Sequence, residues 1–148
     1  MSLKDQINED MKTAMRARDS ERLSAIRMLL AAIKQKEVDE RIVADDAQVV
    51  AIVDRLLKQR KDSITQFEAG GRPELAERER AEALVLSAYL PQQASEAEVA
   101  AEIDAAVAAT GAASPQDMGR VMAVLKSRLA GRADLSAVSA QVKARLAG

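Results

Sequence analysis

Cysteine, histidine and tryptophan are absent from this 148-residue chain, and phenylalanine and tyrosine occur once each, as Phe67 and Tyr89. Each absence removes a class of chemistry. Without Cys or His there is no thiolate nucleophile, no imidazole base, no Ser-His-Asp relay and no ordinary zinc or haem site. The reactive groups left are Lys, Arg, Asp, Glu, Tyr and hydroxyls. The scarcity of aromatics opposes a β-sandwich core and argues against reading single-stranded bases by stacking. Phosphate-cradling loops are missing as well, with neither a GxGxxG nor a P-loop sequence, and no Ser has a Lys three residues after it, which excludes the SxxK nucleophile pair. The longest uncharged stretch, Ala83 to Ser95, is shorter than the ~18 residues that span a bilayer, and the first residues carry no apolar signal core. No membrane partner is expected, and the chain reads as cytoplasmic. The missing cysteines suit a reducing compartment, and the excess of Arg over Lys with abundant Ala points to a bacterial, G+C-rich source.

What is present favours helix. Hydrophobic residues make up 48% and charged residues 30% of the chain, and Ala, Leu, Met, Glu, Lys and Arg lose little entropy in a helix. The periodicity is helical throughout. Ser2 with Asp5 marks a first start, followed by Leu3, Ile7, Met11, Ala14 and Met15 to about Ala17. Asp19 and Ser20 restart the pattern, with Leu23, Ile26, Leu30 and Ile33 as a stripe that ends in a charged loop from Glu37 to Arg41. Asp45 with Gln48 opens a long third helix whose predicted stripe is Val50, Val53, Leu57, Ile64 and Phe67, stopped by Gly70-Gly71. Pro73 starts a fourth helix, which must end before Pro91. After a linker at Pro91 to Ala94, Ser95 with Glu98 opens a fifth helix, Ser114-Pro115 a sixth, and Asp134 or Ser136 a seventh. The expected fold is all-α: an N-terminal long-helix bundle over residues 1–92, then a small three-helix tail domain over residues 93–148.

Charge is informative locally. The net charge is -1, which excludes a uniformly basic nucleic-acid binder. Yet residues 93–118 contain Glu96, Glu98, Glu102, Asp104 and Asp117 and no base, whereas residues 119–148 contain Arg120, Lys126, Arg128, Arg132, Lys143 and Arg145 against Asp134 alone. A second basic cluster covers residues 12–36. Solvated helix faces explain such clusters as well as binding does. Arg60 falls on the apolar stripe of the third helix, Arg27 flanks Leu23 and Leu30, and Glu79 and Glu82 interrupt the stripe of the fourth. Structural ion pairs among Arg27, Arg60, Glu79 and Glu82 are expected, since a charge inside a packed face needs a partner.

Paired carboxylates such as Asp39-Glu40, Asp45-Asp46 and Glu77/Glu79 fall in caps and exposed turns without an apolar pocket to perturb them. No catalytic residue is assigned, and neither a metal nor a cofactor is expected; helix capping explains Asp45-Asp46 with fewer assumptions than an all-oxygen cation site. Two glycines stand out. Gly119 lies inside the first turns of a helix, where glycine costs about 1 kcal/mol relative to Ala. That cost suggests close approach of another backbone, a neighbouring helix or a ligand phosphate. Gly131 can take a left-handed C-cap, which would put Arg132 on an exposed turn near Arg120, Lys126 and Arg128. Such a turn can meet a phosphate backbone.

Several segments, in this order, make the chain resemble the GatB/YqeY family, specifically its stand-alone YqeY-like members. They are Arg22-Leu23-Ser24-Ala25-Ile26-Arg27-Met28-Leu29, Lys58-Gln59-Arg60-Lys61-Asp62-Ser63-Ile64 with Phe67 and Gly70-Gly71-Arg72, Tyr89-Leu90-Pro91, Met118-Gly119-Arg120-Val121-Met122, and Gly131-Arg132-Ala133-Asp134. The resemblance implies a helical bundle with a tail similar to the C-terminal domain of the GatB component of the glutamine-dependent Asp-tRNA/Glu-tRNA amidotransferase. In that enzyme the corresponding helices help bind the tRNA elbow. Gly119, Arg120, Met122, Gly131, Arg132 and Ala133 match the shared tail motif. The enzyme's kinase-like module and its glutaminase component have no counterpart in these residues.

Three functions follow as expectations. The first is a non-catalytic tRNA-binding or amidotransferase-related accessory protein, with Arg120, Lys126, Arg128 and Arg132 on the tRNA backbone and no DNA partner. The second is a helical protein–protein adaptor for a translation or stress protein. The third is the family's carbon–nitrogen ligase activity with glutamine as amido-N-donor.

Overall fold

The computed structural model describes residues 1–147. They form seven α-helices and one turn of 3-10 helix, with no strand among the described residues. The helices are α1 (Leu3–Ala17), α2 (Ser20–Glu40), α3 (Asp46–Ala69), α4 (Pro73–Ser87), α5 (Glu96–Thr110), α6 (Met118–Leu129) and α7 (Leu135–Ala147), with the 3-10 turn at Pro115–Asp117. The chain divides into two compact units, Met1–Leu90 and Pro91–Gly148. The division precedes residues 91–94, a segment that the sequence pattern reads as a linker shared between the 1–92 and 93–148 domains, because that segment is bonded into the second unit. The Ala94 N–H donates to the Arg132 carbonyl at 2.8 Å, and the Gln93 side chain donates to the Gly131 carbonyl at 2.7 Å.

In the first unit, capping sets the helix starts. Ser2 and Asp5 form a reciprocal box on α1, Asp19 accepts the Arg22 N–H on α2, and Asp45 and Gln48 form a box on α3. The neighbouring Asp46 accepts the Leu3 N–H at 2.9 Å, so the starts of α1 and α3 are joined. Both carboxylates of the Asp45-Asp46 pair thus serve helix ends.

The charged loop expected from Glu37 is instead the last turn of α2, which continues to Glu40. Gln35–Asp39 and Lys36–Glu40 contacts at i,i+4 support that turn, and left-handed Arg41 stops it. Glu37 faces inward, pairing with Lys4 at 2.6 Å and accepting the Ala44 N–H at 2.8 Å, two contacts that hold its carboxyl below the usual carboxylate range.

The core of this unit is Ile7, Ala14, Ile26, Leu29, Ile33, Val49, Ile52, Val53, Leu56, Leu86 and neighbours. On α3 the buried row is Val49, Ile52, Val53 and Leu56, so Val50 and Leu57 of the predicted stripe flank the core, and Ile64 and Phe67 are half-buried. Tyr89, just past α4, is buried and donates its hydroxyl to Asp10 at 2.6 Å. Burial, followed by that bond to a carboxylate, raises the phenol well above its ordinary pKa.

The second unit closes around Val99, Ile103, Ala106, Val121, Leu125, Leu129, Val138, Val142 and Leu146. Ser95 caps α5 through the Glu98 N–H, and Gly111 ends it in the left-handed conformation. Gly131 also adopts positive φ, at 73°, just past the end of α6. The Asp134 carboxylate accepts the Ser136 N–H at 3.0 Å at the start of α7.

Candidate nucleic-acid interface

The basic residues chosen from the sequence lie in the second unit, and their immediate surroundings are acidic. Arg128 Nε lies 2.5 Å from Glu102 Oε2, and the Arg132 guanidinium donates to Glu98 at 2.9 Å and to the Gln92 carbonyl at 3.1 Å. Arg145 pairs with Asp104. The acidic face of α5 is therefore matched to arginines of α7, of α6 and of the turn between them. Arg120 spans the end of α5: it donates to the Thr110 carbonyl at 3.2 Å and to Asp117 at 2.5 Å. Lys126 is exposed and has no ion-pair partner among the described residues.

These pairs are solvent-accessible. Arg120 and Arg128 side chains are 61% and 60% exposed, and Arg132 is 32% exposed. Surface ion pairs of this kind contribute about 0–1 kcal/mol each, so their geometry does not prevent an arginine from exchanging its carboxylate for a phosphate. Arg132 differs in having a second attachment. Its bond to Gln92, together with the Gly131 and Arg132 carbonyls that accept from Gln93 and Ala94, holds the start of the unit against its second interhelical turn.

Asp117 is the most strongly shifted acid of the unit. The Ala113 N–H, the Arg120 guanidinium and the Ser114 N–H all stabilise its anion and hold its pKa at about 2. Because the folded value lies below the ordinary 3.8, this contribution is complete above the unfolded pKa and is lost as pH falls toward about 2. Asp117→Asn is expected to be less stable than wild type at pH 7, with the gap between the two proteins narrowing from pH 4 downward, read as urea midpoints across a pH series.

The two glycines separate. Gly131 is buried in its left-handed turn. Gly119 is exposed, and a Cβ placed on it would meet nothing within 4 Å. The packing of a neighbouring helix or backbone of this chain, one of the two reasons expected for that glycine, is therefore not the reason.

The charges expected to pair in the first unit also separate. Arg60 Nε lies 3.2 Å from Glu79 Oε2 and 3.0 Å from Glu82 Oε2, and its guanidinium also contacts Met28 Sδ. Neither Arg60 Nε nor Glu79 Oε2 has a directed hydrogen bond, so charge rather than alignment holds this group together. Arg27 is exposed on the outward side of α2 and takes no part among the described residues. A 100° step per residue puts it about 160° from Leu29, on the side away from the buried row, which the flanking Leu23 and Leu30 did not reveal. The Tyr89–Asp10 bond has no signal in the sequence, since its partners are far apart in the chain.

The model of the family described as "Yqey-like protein" matches residues 4–146. The chain belongs to this family. It is also similar to curated fungal proteins named "Altered inheritance of mitochondria protein 41, mitochondrial". The Lachancea thermotolerans protein is 41% identical over 102 residues, covering 66% of this chain and 54% of the relative. Its counterpart in Eremothecium gossypii is 38% identical, covering 67% and 56%, and that of Saccharomyces cerevisiae (strain YJM789) is 38% identical, covering 56% and 45%. The chain spans about half the length of these relatives. Among the described residues, no helix is long and apolar enough to cross a membrane.

Proposed function

We propose that this chain is a non-catalytic accessory protein related to the tRNA amidotransferases, whose C-terminal unit contacts the backbone of folded tRNA through Arg120, Lys126, Arg128 and Arg132. The observation that carries this reading is the exposed Gly119 beside Arg120. It bears a helix penalty of about 1 kcal/mol without any intrachain contact that a Cβ would disturb. Its exposed place in the first turn of α6 leaves that stretch of backbone uncovered next to Arg120. The lack of aromatics directs recognition to shape and phosphates. A bacterial cytoplasm belongs to the same proposal, although the named fungal relatives are described as mitochondrial.

Total tRNA titrated against the full chain over a salt series tests it. For every phosphate contacted, the logarithmic slope should change by about -0.7 to -0.9. Lys126→Gln with Arg128→Gln should weaken binding and flatten the slope by roughly 1.5. Wild-type protein that does not bind tRNA at low salt would exclude the reading. Binding that is insensitive to salt would favour a protein adaptor, and glutamine-dependent amide transfer by the purified chain would favour the ligase.

A further inference from the structure

Arginines 120, 128, 132 and 145 of the second unit are each tied to an acid of that unit, whereas a line of cations in the first unit is not. The outward side of α2 reads Ser20, Ser24, Arg27, Ala31, Lys34 and Val38, at the three- and four-residue spacing that stacks side chains along a helix, and every one of them is exposed. This row contains no acid. Among the described residues, neither Arg27 nor Lys34 has an ion-pair partner.

The acids nearest in sequence are otherwise engaged or lie off the row. Glu37 is held by Lys4 at 2.6 Å and by the Ala44 N–H at 2.8 Å. Asp19 caps α2. Glu21 lines the groove toward α4 together with Ser20, Ser24, Arg78 and Glu82, so the part of the row clear of carboxylates begins at Arg27. The turn that leads into the row adds Arg16, in the last turn of α1, and Arg18, both exposed and without an ion-pair partner among the described residues. Arg18 holds a left-handed conformation with φ 55°, which costs a non-glycine residue roughly 1–2 kcal/mol.

We propose that this row of α2, with the Arg16–Arg18 turn, is a second contact surface for the phosphate backbone of a folded RNA. It rests on the RNA reading above and extends the contact to the first unit. Along α2 the two cations lie about 10 Å apart at ~1.5 Å per residue, and Arg16 and Arg18 add two further cations in the turn ahead of the row. The small, exposed Ala31 between the two cations lets a backbone come close. The row's one large apolar residue is Val38, too little for a membrane-inserting face, which needs a continuous apolar side.

The test compares wild type, Arg27→Gln/Lys34→Gln and Lys126→Gln/Arg128→Gln in the full chain, titrated with total tRNA over a salt series, with thermal melts alongside. Arg27→Gln/Lys34→Gln should weaken binding about tenfold at moderate salt and flatten the slope by roughly 1.5. The melt should not move, because both residues are exposed and unpaired. If wild type binds and this variant keeps its affinity and slope, the second surface is overturned while the RNA reading stands. If wild type binds no tRNA, both fall. Preference for phosphatidylserine vesicles over tRNA, abolished by the same substitutions, would overturn it in favour of a lipid surface.

Discussion

Arg60→Ala is expected to lower the stability of the first unit by about 2 kcal/mol, or roughly 10 °C in melting temperature. Arg60 is 13% exposed in its side chain, and its partners Glu79 and Glu82 are 21% and 25% exposed. Removing the guanidinium leaves two carboxylates three residues apart on α4, partly dehydrated and repelling each other. A fully buried charge left unpaired costs about 3–5 kcal/mol; the residual access to water places this group below that range. The contact of the Arg60 guanidinium with Met28 Sδ is lost as well. A combined Arg60→Leu, Glu79→Leu and Glu82→Gln variant should recover most of the loss, because the uncompensated charge disappears with its partner. Circular-dichroism melts of both variants check this. An unchanged melt for Arg60→Ala would show that the group serves something other than helix register.

Leu125→Ala is expected to have the larger effect, about 2–5 kcal/mol, confined to the second unit. Leu125 is completely buried on α6 at the centre of the cluster that joins α5, α6 and α7. A core of this size supplies only a few kcal/mol in total, so the substitution removes most of it. At 37 °C the variant should lose about a third of its helical ellipticity, the share contributed by α5, α6 and α7. The fluorescence of Tyr89, which lies in the first unit, should remain that of the wild type. Loss of the tyrosine signal together with the ellipticity would mean that the two units unfold as one. For any tRNA titration this variant is also the control for binding that requires a folded tail.

The relation between residues and structure is clearest at helix ends. Ser2/Asp5, Asp45/Gln48, Ser95/Glu98, Pro73 and Gly111 act through bonds or dihedrals spanning a few residues, so their effects can be read without knowing the fold. The core register on α3 is less accessible. Several apolar rows run along a 24-residue helix, and only the positions of α1, α2 and α4 determine that Val49, Ile52, Val53 and Leu56 are covered. The end of α2 is hidden because its charged residues look like a loop, although i,i+4 bonds make the same residues helix-compatible.

The candidate site divides in the same way. Composition alone, with no Cys, no His and almost no aromatic residue, removes thiolate and imidazole chemistry and argues against base stacking. Opposite charge blocks in the second unit are visible in the sequence, but not that the arginines reach Glu98, Glu102 and Asp104 across helices. Nor can sequence distinguish Gly119, which faces open space, from buried Gly131, or unpaired Arg27 from paired Arg60. Helical class and caps were determined by the sequence itself because their physics is local. Which charges are neutralised and which remain available was decided by tertiary structure, because an ion pair depends on a few ångströms between residues that the chain order separates by tens of positions.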